Sequence, residues 1–198
     1  MKTISDKLIE LRNLINACQI CHRANIEYKN FPFKTTLEWI PRETKILFLA
    51  QDPPANQNYF YSNPESRFTQ KLLKLLVSSE LLKENQLEDF VKEGYYLTDA
   101  AKCSCGDQKN CKKFLIEEID IIKPKIICTL GLQALKSLLK RQKLTLKKFV
   151  GRGVPSSILK NEFSSIYVFS CYFPTAMVKD EIKIRHFKIL NGLLNKIS

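Results

Sequence analysis

The sequence predicts a three-layer α/β/α domain with a four-stranded parallel sheet between helices. Short apolar runs such as residues 45–50 lack the alternation of a half-exposed strand, which is typical of strands buried on both faces. Segments with helical periodicity separate these runs, and strands that alternate with helices favour a parallel sheet. No internal repeat or low-complexity linker divides the chain, so we expect residues 1–198 to form one domain.

The first half of the chain contains two of the predicted strands. Residues 4–17 carry apolar side chains at helical spacing and predict an amphipathic helix. Residues 30–42 are expected to form an irregular connection or a short edge strand. The buried strand at 45–50 is followed by a strongly amphipathic helix at 67–82. A second strand is then predicted over residues 95–101.

The second half repeats this alternation. A helix at about 112–122 ends before Pro124, because proline cannot continue a helix. The third strand and the helix that begins at Gly131 come next. A basic stretch separates the Gly131 helix from the fourth strand. The last helix has four apolar residues at helical spacing, which we expect to be buried. These elements are the strand 125–130, the helix 131–139, the strand 165–171 and the helix at about 179–197.

The charge of the chain indicates an anionic partner. The sequence has 32 Lys+Arg against 20 Asp+Glu, a net charge of +12, while its 44% hydrophobic content is ordinary for a folded protein. Such an excess favours nucleic acid, through phosphate contacts, although a lysine-rich proteome would also produce it. No apolar run is long enough to span a membrane, and the first 30 residues are too charged for a signal peptide. We therefore expect a cytoplasmic or otherwise intracellular protein that does not associate with membranes. We also expect a monomer.

Seven cysteines need an explanation other than disulfides, which are rare inside cells. Cys18 and Cys21 form a C-x-x-C pair, and the segment from Lys102 to Cys111 carries three more thiols. A dithiol, a zinc site and half of an iron–sulfur site all use the C-x-x-C spacing.

Polar residues follow the first predicted strand at the point where open α/β sheets place their ligands. The segment Gln51-Asp52-Pro53-Pro54 is stiffened by its two prolines, and Pro53 forces Asp52 out of the helical region. A carboxylate on a stiff loop suits chemistry, and it suits a structural turn equally well. Asp99 lies near the carboxyl end of the second strand in the same way.

Taken in order, these segments resemble the uracil-DNA glycosylase superfamily, and most closely its iron–sulfur-containing family 4. The most specific match is Tyr96-Leu-Thr-Asp-Ala-Ala-Lys-Cys103, followed by the segment from Cys111 to Gly131. The resemblance covers nearly the whole chain. It implies a pocket at the carboxyl ends of four parallel strands and a nucleotide flipped out of DNA, which exposes the glycosidic bond.

The resemblance also implies a metal centre. Cys18, Cys21, Cys103 and Cys111 match the four ligands of a [4Fe–4S] cluster with a structural role. Cys105 is a rival for either of the last two places, and a structural zinc would satisfy the same spacing. For the remaining two thiols, Cys128 and Cys171, we expect plain core packing.

The first motif departs from family 4 and resembles family 1, whose glutamine-aspartate-proline motif uses the aspartate on the attacking water. By this resemblance Asp52 polarises water and stabilises the oxocarbenium-like sugar, and Gln51 lends its backbone N–H to a base carbonyl. Tyr61 is the first choice for the aromatic residue that stacks on the base, and Phe60 is the second.

Two further departures concern the base. Asp99 stands where the superfamily often has an asparagine, whose amide matches both O4 and N3–H of uracil, whereas an ionised carboxylate only accepts. Asp99 is therefore protonated in a dry pocket, reads a different base, or does not read the base. Phe173 occupies the place of the histidine of the last motif and cannot donate to the leaving base. His22 and His186 are not obvious substitutes, and we expect structural or surface roles for both.

The resemblance implies DNA contacts from Pro174 and Thr175 and a wedge from Met177 into the base stack. The basic stretch adds candidate phosphate contacts at Lys147, Lys148 and Arg152. The prediction is a monofunctional glycosylase that removes uracil or another deaminated base. The alternatives are a DNA-binding protein on the same fold without efficient cleavage, and a zinc-stabilised nucleic-acid module unrelated to glycosylases.

Overall fold

The structure, a computed structural model, describes residues 3–20, 40–54, 60–103, 108–140 and 145–197. This part of the chain contains five strands and six α-helices. The strands are β1 (Ile46–Ala50), β2 (Tyr95–Asp99), β3 (Ile126–Leu130), β4 (Arg152–Val154) and β5 (Tyr167–Cys171). The helices are α1 (Ile4–Asn16), α2 (Arg67–Ser78), α3 (Leu87–Lys92), α4 (Gln108–Ile122), α5 (Leu132–Leu138) and α6 (Asp180–Ile197).

The strands form one mixed sheet in the order β2-β1-β3-β5-β4. The four strands expected from the sequence are present and parallel. The predicted count of four is wrong, however, because β4 adds an antiparallel edge strand alongside β5. Its three residues include a glycine and no apolar run, so only the pairing with β5 makes this segment a strand.

Helices cover both faces of the sheet, as the predicted three layers require. Alternate residues of β1 point to opposite sides: Leu47 and Leu49 pack in one core with residues of α1, α4 and α5. Ile46 and Phe48 pack in a second core with α2, α3 and α6. Every residue of β1 is at most 5% exposed, which explains why its sequence shows no polar alternation.

All the predicted helices are present, and the structure contains one helix that was not expected. The six-residue helix α3 was not expected, since fewer than two turns give little periodic signal. In α1, a capping box between Thr3 and Asp6 starts the helix, and Leu8, Leu11 and Ile15 form its buried face. None of the helices in the described ranges is long and apolar enough to cross a membrane. That the whole chain forms one domain stays a prediction.

Candidate functional site

The carboxyl ends of the four parallel strands meet at one edge of the sheet. The register pairs Ala50 with Asp99, and Leu130 with Cys171. Backbone hydrogen bonds continue past the strands, since the N–H of Ala101 donates to the carbonyl of Gln51 at 2.9 Å. This places the start of the Gln51-Asp52 loop beside the residues that follow Asp99, as the sequence predicts for a site built from strand ends.

Asp99 is a partly buried carboxyl group with a strongly perturbed acidity. Burial raises its pKa to about 7 from an ordinary 3.8. The positive charge of Lys102 lowers the pKa, and the negative charges of Asp52 and Glu118 raise it. The Asp52 carboxylate is therefore close enough to Asp99 to affect its pKa, and their assignment to one site stays a prediction. With its pKa raised to about 7, Asp99 can carry a proton near neutral pH and donate a hydrogen bond.

A buried polar network holds the main chain at Asp99 in place. Lys102 is 3% exposed and forms an ion pair with Glu118, which is 0% exposed. The Lys102 Nζ also donates to Thr98 Oγ1 and to the Asp99 carbonyl, both at 2.8 Å. Glu118 accepts from the hydroxyls of Tyr96 at 3.0 Å and Thr98 at 2.9 Å. The ammonium group therefore fixes the main chain at Asp99, and each charge in the network has partners.

Sequence reasoning missed Glu118, although a signal was present. The residue lies within the apolar face of α4, with Leu115, Ile119 and Ile122 at helical spacing around it. A carboxylate on a stripe that faces the core has to find a cation or hydroxyl groups there. Lys102, in the motif Tyr96–Cys103, is the cation with which Glu118 pairs.

The two aromatic candidates for base stacking lie within the second core. Tyr61 is 4% exposed and Phe60 is 5% exposed, with their rings edge to face at 4.9 Å. The Tyr61 hydroxyl accepts from the N–H of Leu97 in the edge strand β2 at 2.7 Å, and burial raises its pKa well above the usual range. Their assignment as stacking residues stays a prediction.

Phe173 lies in the loop after β5 and stacks on another aromatic ring. Its ring is 5.1 Å from that of Phe68 in α2, with an angle of 26° between the planes. A Cβ placed on Gly131, at the end of β3, would lie 3.4 Å from the Phe173 Cβ. The Phe173 ring is therefore packed between α2 and the end of β3, and its correspondence to the histidine of the last motif stays a prediction.

The loop that follows Phe173 is supported by a buried lysine of α6. Lys183 is 2% exposed, and its Nζ donates to the carbonyls of Pro174 at 2.7 Å and Ala176 at 2.8 Å. Asp180 lies 3.5 Å from this Nζ and also pairs with Lys71 of α2. These contacts fix the loop at its base, while Met177 projects fully into solvent. Thr175, the other predicted DNA contact of this loop, is partly buried.

The basic candidates lie beyond this loop. Lys147 and Lys148 belong to a short 3₁₀ turn and are exposed, as is Arg152 in β4. Within the described ranges no acidic side chain forms an ion pair with any of the three. Their positive charges are therefore available to phosphates, and their contact with DNA stays a prediction.

Three of the four predicted cluster ligands line the same cavity. Cys18 after α1, Cys103 after β2 and Cys111 in α4 line a small cavity of about 20 Å³. The N–H of Lys102 donates to the Cys111 sulfur at 3.3 Å. The predicted fourth ligand, Cys21, and its rival Cys105 lie outside the described residues. Within those residues, no group of three or more His, Cys, Asp or Glu side chains is arranged to hold a metal ion.

Two other thiols, Cys128 and Cys171, and the histidine His186 do not line this cavity. Cys128 and Cys171 are buried in β3 and β5, and burial and its neighbour Cys128 raise the pKa of Cys171. His186 stacks on Tyr172, with ring centres 5.5 Å apart, and burial lowers its pKa. His22 lies outside the described residues.

Comparison with known proteins agrees with this arrangement. The sequence pattern of the "Uracil DNA glycosylase superfamily" matches residues 37–194. The chain is also 25% identical over 183 residues to the type-4 uracil-DNA glycosylase of Sulfurisphaera tokodaii (strain DSM 16993 / JCM 10545 / NBRC 100140 / 7), an alignment that covers 86% of this chain and 76% of the relative. The match extends across the sheet and all of its strand-end loops. The resemblance seen in the sequence is thus confirmed, and the chain belongs to the uracil DNA glycosylase superfamily.

Proposed function

We propose that the protein is a monofunctional DNA glycosylase that removes uracil or another deaminated base flipped out of DNA. Membership of the superfamily supports a glycosylase-like function. One observation supports this substrate class: Asp99, at the strand-end site beside Asp52, has a pKa of about 7 and so offers a proton near neutral pH. A carboxyl group tuned to this range is typical of a site that recognises or transfers protons.

A protonated Asp99 resolves the departure from the family's asparagine. A carboxylic acid has one donor and one acceptor, like an amide, so it can donate to O4 of uracil and accept from N3–H. The ion pair and hydrogen bonds of Lys102 hold the main chain of Asp99 in place for this contact. Deaminated bases share the carbonyl that this acid would recognise.

Asp52 is proposed as the residue that orients the attacking water. It follows a strand in which every residue is buried, so its loop begins at a rigid point. Its carboxylate would also stabilise the oxocarbenium-like sugar as the glycosidic bond opens, and the Gln51 backbone N–H would contact a carbonyl of the base. Tyr61 and Phe60 would form the wall of the pocket from the second core.

The thiols support a [4Fe–4S] cluster, with structural zinc as the alternative. Cys18, Cys103 and Cys111 share one cavity, and a backbone N–H directed at the Cys111 sulfur is a contact that cluster thiolates commonly receive. Cys21 would complete the set. A cluster there would be structural: it would join the end of α1 to the loop after β2 and to α4.

DNA would be bound at the same edge of the sheet. Met177, whose side chain is exposed, would act as a wedge, and Pro174 and Thr175 would support the backbone beside it. Lys147, Lys148 and Arg152 would contact phosphates. Since each of these contacts is sequence-independent, specificity would come from the base pocket.

A second candidate function is recognition of modified or single-stranded DNA without efficient cleavage. Phe173 favours it, because an apolar ring stacked on Phe68 cannot stabilise the negative charge of a leaving base. The aspartate at position 52 favours the enzyme.

A single-turnover cleavage assay distinguishes the two. Oligonucleotides carrying uracil, hypoxanthine, xanthine or thymine opposite guanine are incubated with anaerobically prepared protein, and abasic product is measured. Asp52→Asn is expected to lower the rate about 100-fold or more while DNA binding persists, because a general base contributes roughly 10²–10⁴-fold. Asp120→Asn, an exposed aspartate of α4, is the matched control. Tight binding without product on every substrate would refute the enzyme and favour the binding protein.

A further inference from the structure

A groove along the β4 edge of the sheet shares only Arg152 with the DNA-contact residues named above. It runs between β4 and the carboxyl-terminal half of α6 and has a volume of about 370 Å³, within the roughly 300–1,000 Å³ usual for small-ligand sites. Its floor is apolar, with Phe169, Ile189 and Leu193, and its charged members are Arg152 and Lys196.

An aromatic ring stands between this groove and a second depression. Tyr167 is 43% exposed and lines both the first groove and a neighbouring hollow of about 550 Å³. The ring can lie there only because Gly153 has no side chain, since a Cβ on Gly153 would clash with the Tyr167 hydroxyl. The neighbouring hollow is lined by three serines, Ser156, Ser164 and Ser165. An exposed ring with open space on two sides is the geometry on which an unpaired base can stack.

The charge of this surface fits one class of occupant. No carboxylate lines either depression in the described part of the chain, whereas Arg152 and Lys196 contribute two cations. Cations beside a stacking ring and hydroxyl groups are the combination that binds single-stranded nucleic acid.

The groove also begins near the strand-end site, because its lining residue Arg152 pairs with Ser170, the residue before Cys171. Tyr172, directly before Phe173, stacks on His186, whose ring packs against Gly151, the residue before Arg152. Burial and the charge of Arg185 lower the pKa of His186, so this stack is uncharged at neutral pH. From Cys171 at the site edge to Tyr167, β5 covers about 13 Å at roughly 3.3 Å per residue. A DNA strand that leaves the site can therefore reach Tyr167 within a few nucleotides.

We infer that this groove, defined by Arg152, Tyr167 and Lys196, binds an unpaired DNA strand that extends from the strand-end site, with one base stacked on Tyr167. The inference rests on the proposed function only in taking DNA as the ligand, and it requires no cleavage.

The test compares binding of two fluorescent DNA duplexes that contain no deaminated base. One is blunt and the other carries an unpaired extension of thymines, prepared with either polarity, and affinities are measured by fluorescence anisotropy. Tyr167→Ala is expected to weaken binding of at least one extended duplex by roughly 5- to 150-fold, the effect of losing one stacked base, and to change blunt-duplex affinity less than twofold. Tyr167→Phe keeps the ring and is expected to bind like the wild type.

Charge variants provide an independent readout. Lys196→Ala is expected to lower the salt slope for the extended duplex by about 0.7, the value for one phosphate contact on a single strand. Lys92→Ala, an exposed lysine of α3 at the opposite edge of the sheet, is the matched control and should leave the slope unchanged.

Equal affinities of wild type and Tyr167→Ala for both extended duplexes would overturn the inference, as would equal losses on extended and blunt DNA. Melting temperatures establish that each variant is folded. Because no target base is present, a failure here leaves the proposed cleavage untouched, and an absence of cleavage leaves this result standing.

Discussion

Removing the buried ammonium group beneath Asp99 tests whether the polar network organises the site. In Lys102→Met the side chain keeps its approximate length, but Glu118, with 0% exposure, loses its only cation among the described residues. The hydroxyls of Tyr96 and Thr98 remain, and they cannot neutralise a charge.

The size of the effect follows from that burial. Breaking a buried ion pair by removing one partner costs about 3–5 kcal/mol of the free energy of unfolding. For a domain of this length, 1 kcal/mol shifts the melting temperature by about 2–4 °C, so we expect a decrease of about 6–20 °C. Thermal and urea unfolding of the purified protein, followed by circular dichroism, measure both quantities.

The double variant Lys102→Met/Glu118→Gln separates uncompensated charge from lost packing. Glutamine is neutral and its oxygen still accepts hydrogen bonds, so the double variant should be more stable than Lys102→Met alone. A loss below about 1 kcal/mol in Lys102→Met, or a double variant as unstable as the sum of the two single ones, would refute the argument.

Three further predictions concern the base, the metal and the DNA surface. The folded-state pKa of Asp99 is raised, so the stability that its proton contributes is present at low pH and is lost as pH rises through about 7. The rate of uracil cleavage should therefore fall between about pH 6 and 8. Asp99→Asn should remove this limb of the pH–rate profile. Cys18→Ser should lower bound iron or zinc and the melting temperature together, because a structural metal contributes to folding, and an unchanged metal content would contradict its role. Lys147→Glu should weaken binding to all DNA sequences alike and lower the salt slope by about 0.9 or more, whereas Lys92→Glu should not; a sequence-selective loss would argue against a phosphate contact.

The sheet was predictable because burial on both faces leaves a signal in consecutive residues. Each residue of β1 and β3 is buried, and both sequences are unbroken apolar or small-residue runs. β4 carries no such signal: its central residue is a glycine, and its strand character comes from pairing with residues 168–170. The local sequence pattern identifies strands whose own residues are all buried. It misses a strand that forms only by pairing with a distant segment.

The same distinction applies to the site. The strand-end positions of Asp52 and Asp99 follow directly from the alternation of strands and helices. The surroundings of Tyr61 do not, because its hydroxyl bonds a residue 36 positions further along the chain. Nor could the sequence show that Asp99 titrates near neutral pH, since that depends on burial and on three other charged groups.

The contacts that hold the strand-end segments in place were the least predictable from the sequence, as two buried lysines show. Lysine is rarely buried unless paired, and among the described residues only Lys102 and Lys183 are buried cations. Each holds the main chain of one strand-end loop through carbonyl oxygens, Lys102 at Asp99 and Lys183 at Pro174 and Ala176. They act from opposite faces of the sheet, one beside α4 and the other from α6. An ammonium group with several fixed acceptors holds a loop in a single arrangement, and catalysis by positioning requires that rigidity. We therefore interpret the two lysines as positioning residues, one for the segment proposed to read the base and one for the loop proposed to present Met177 to DNA.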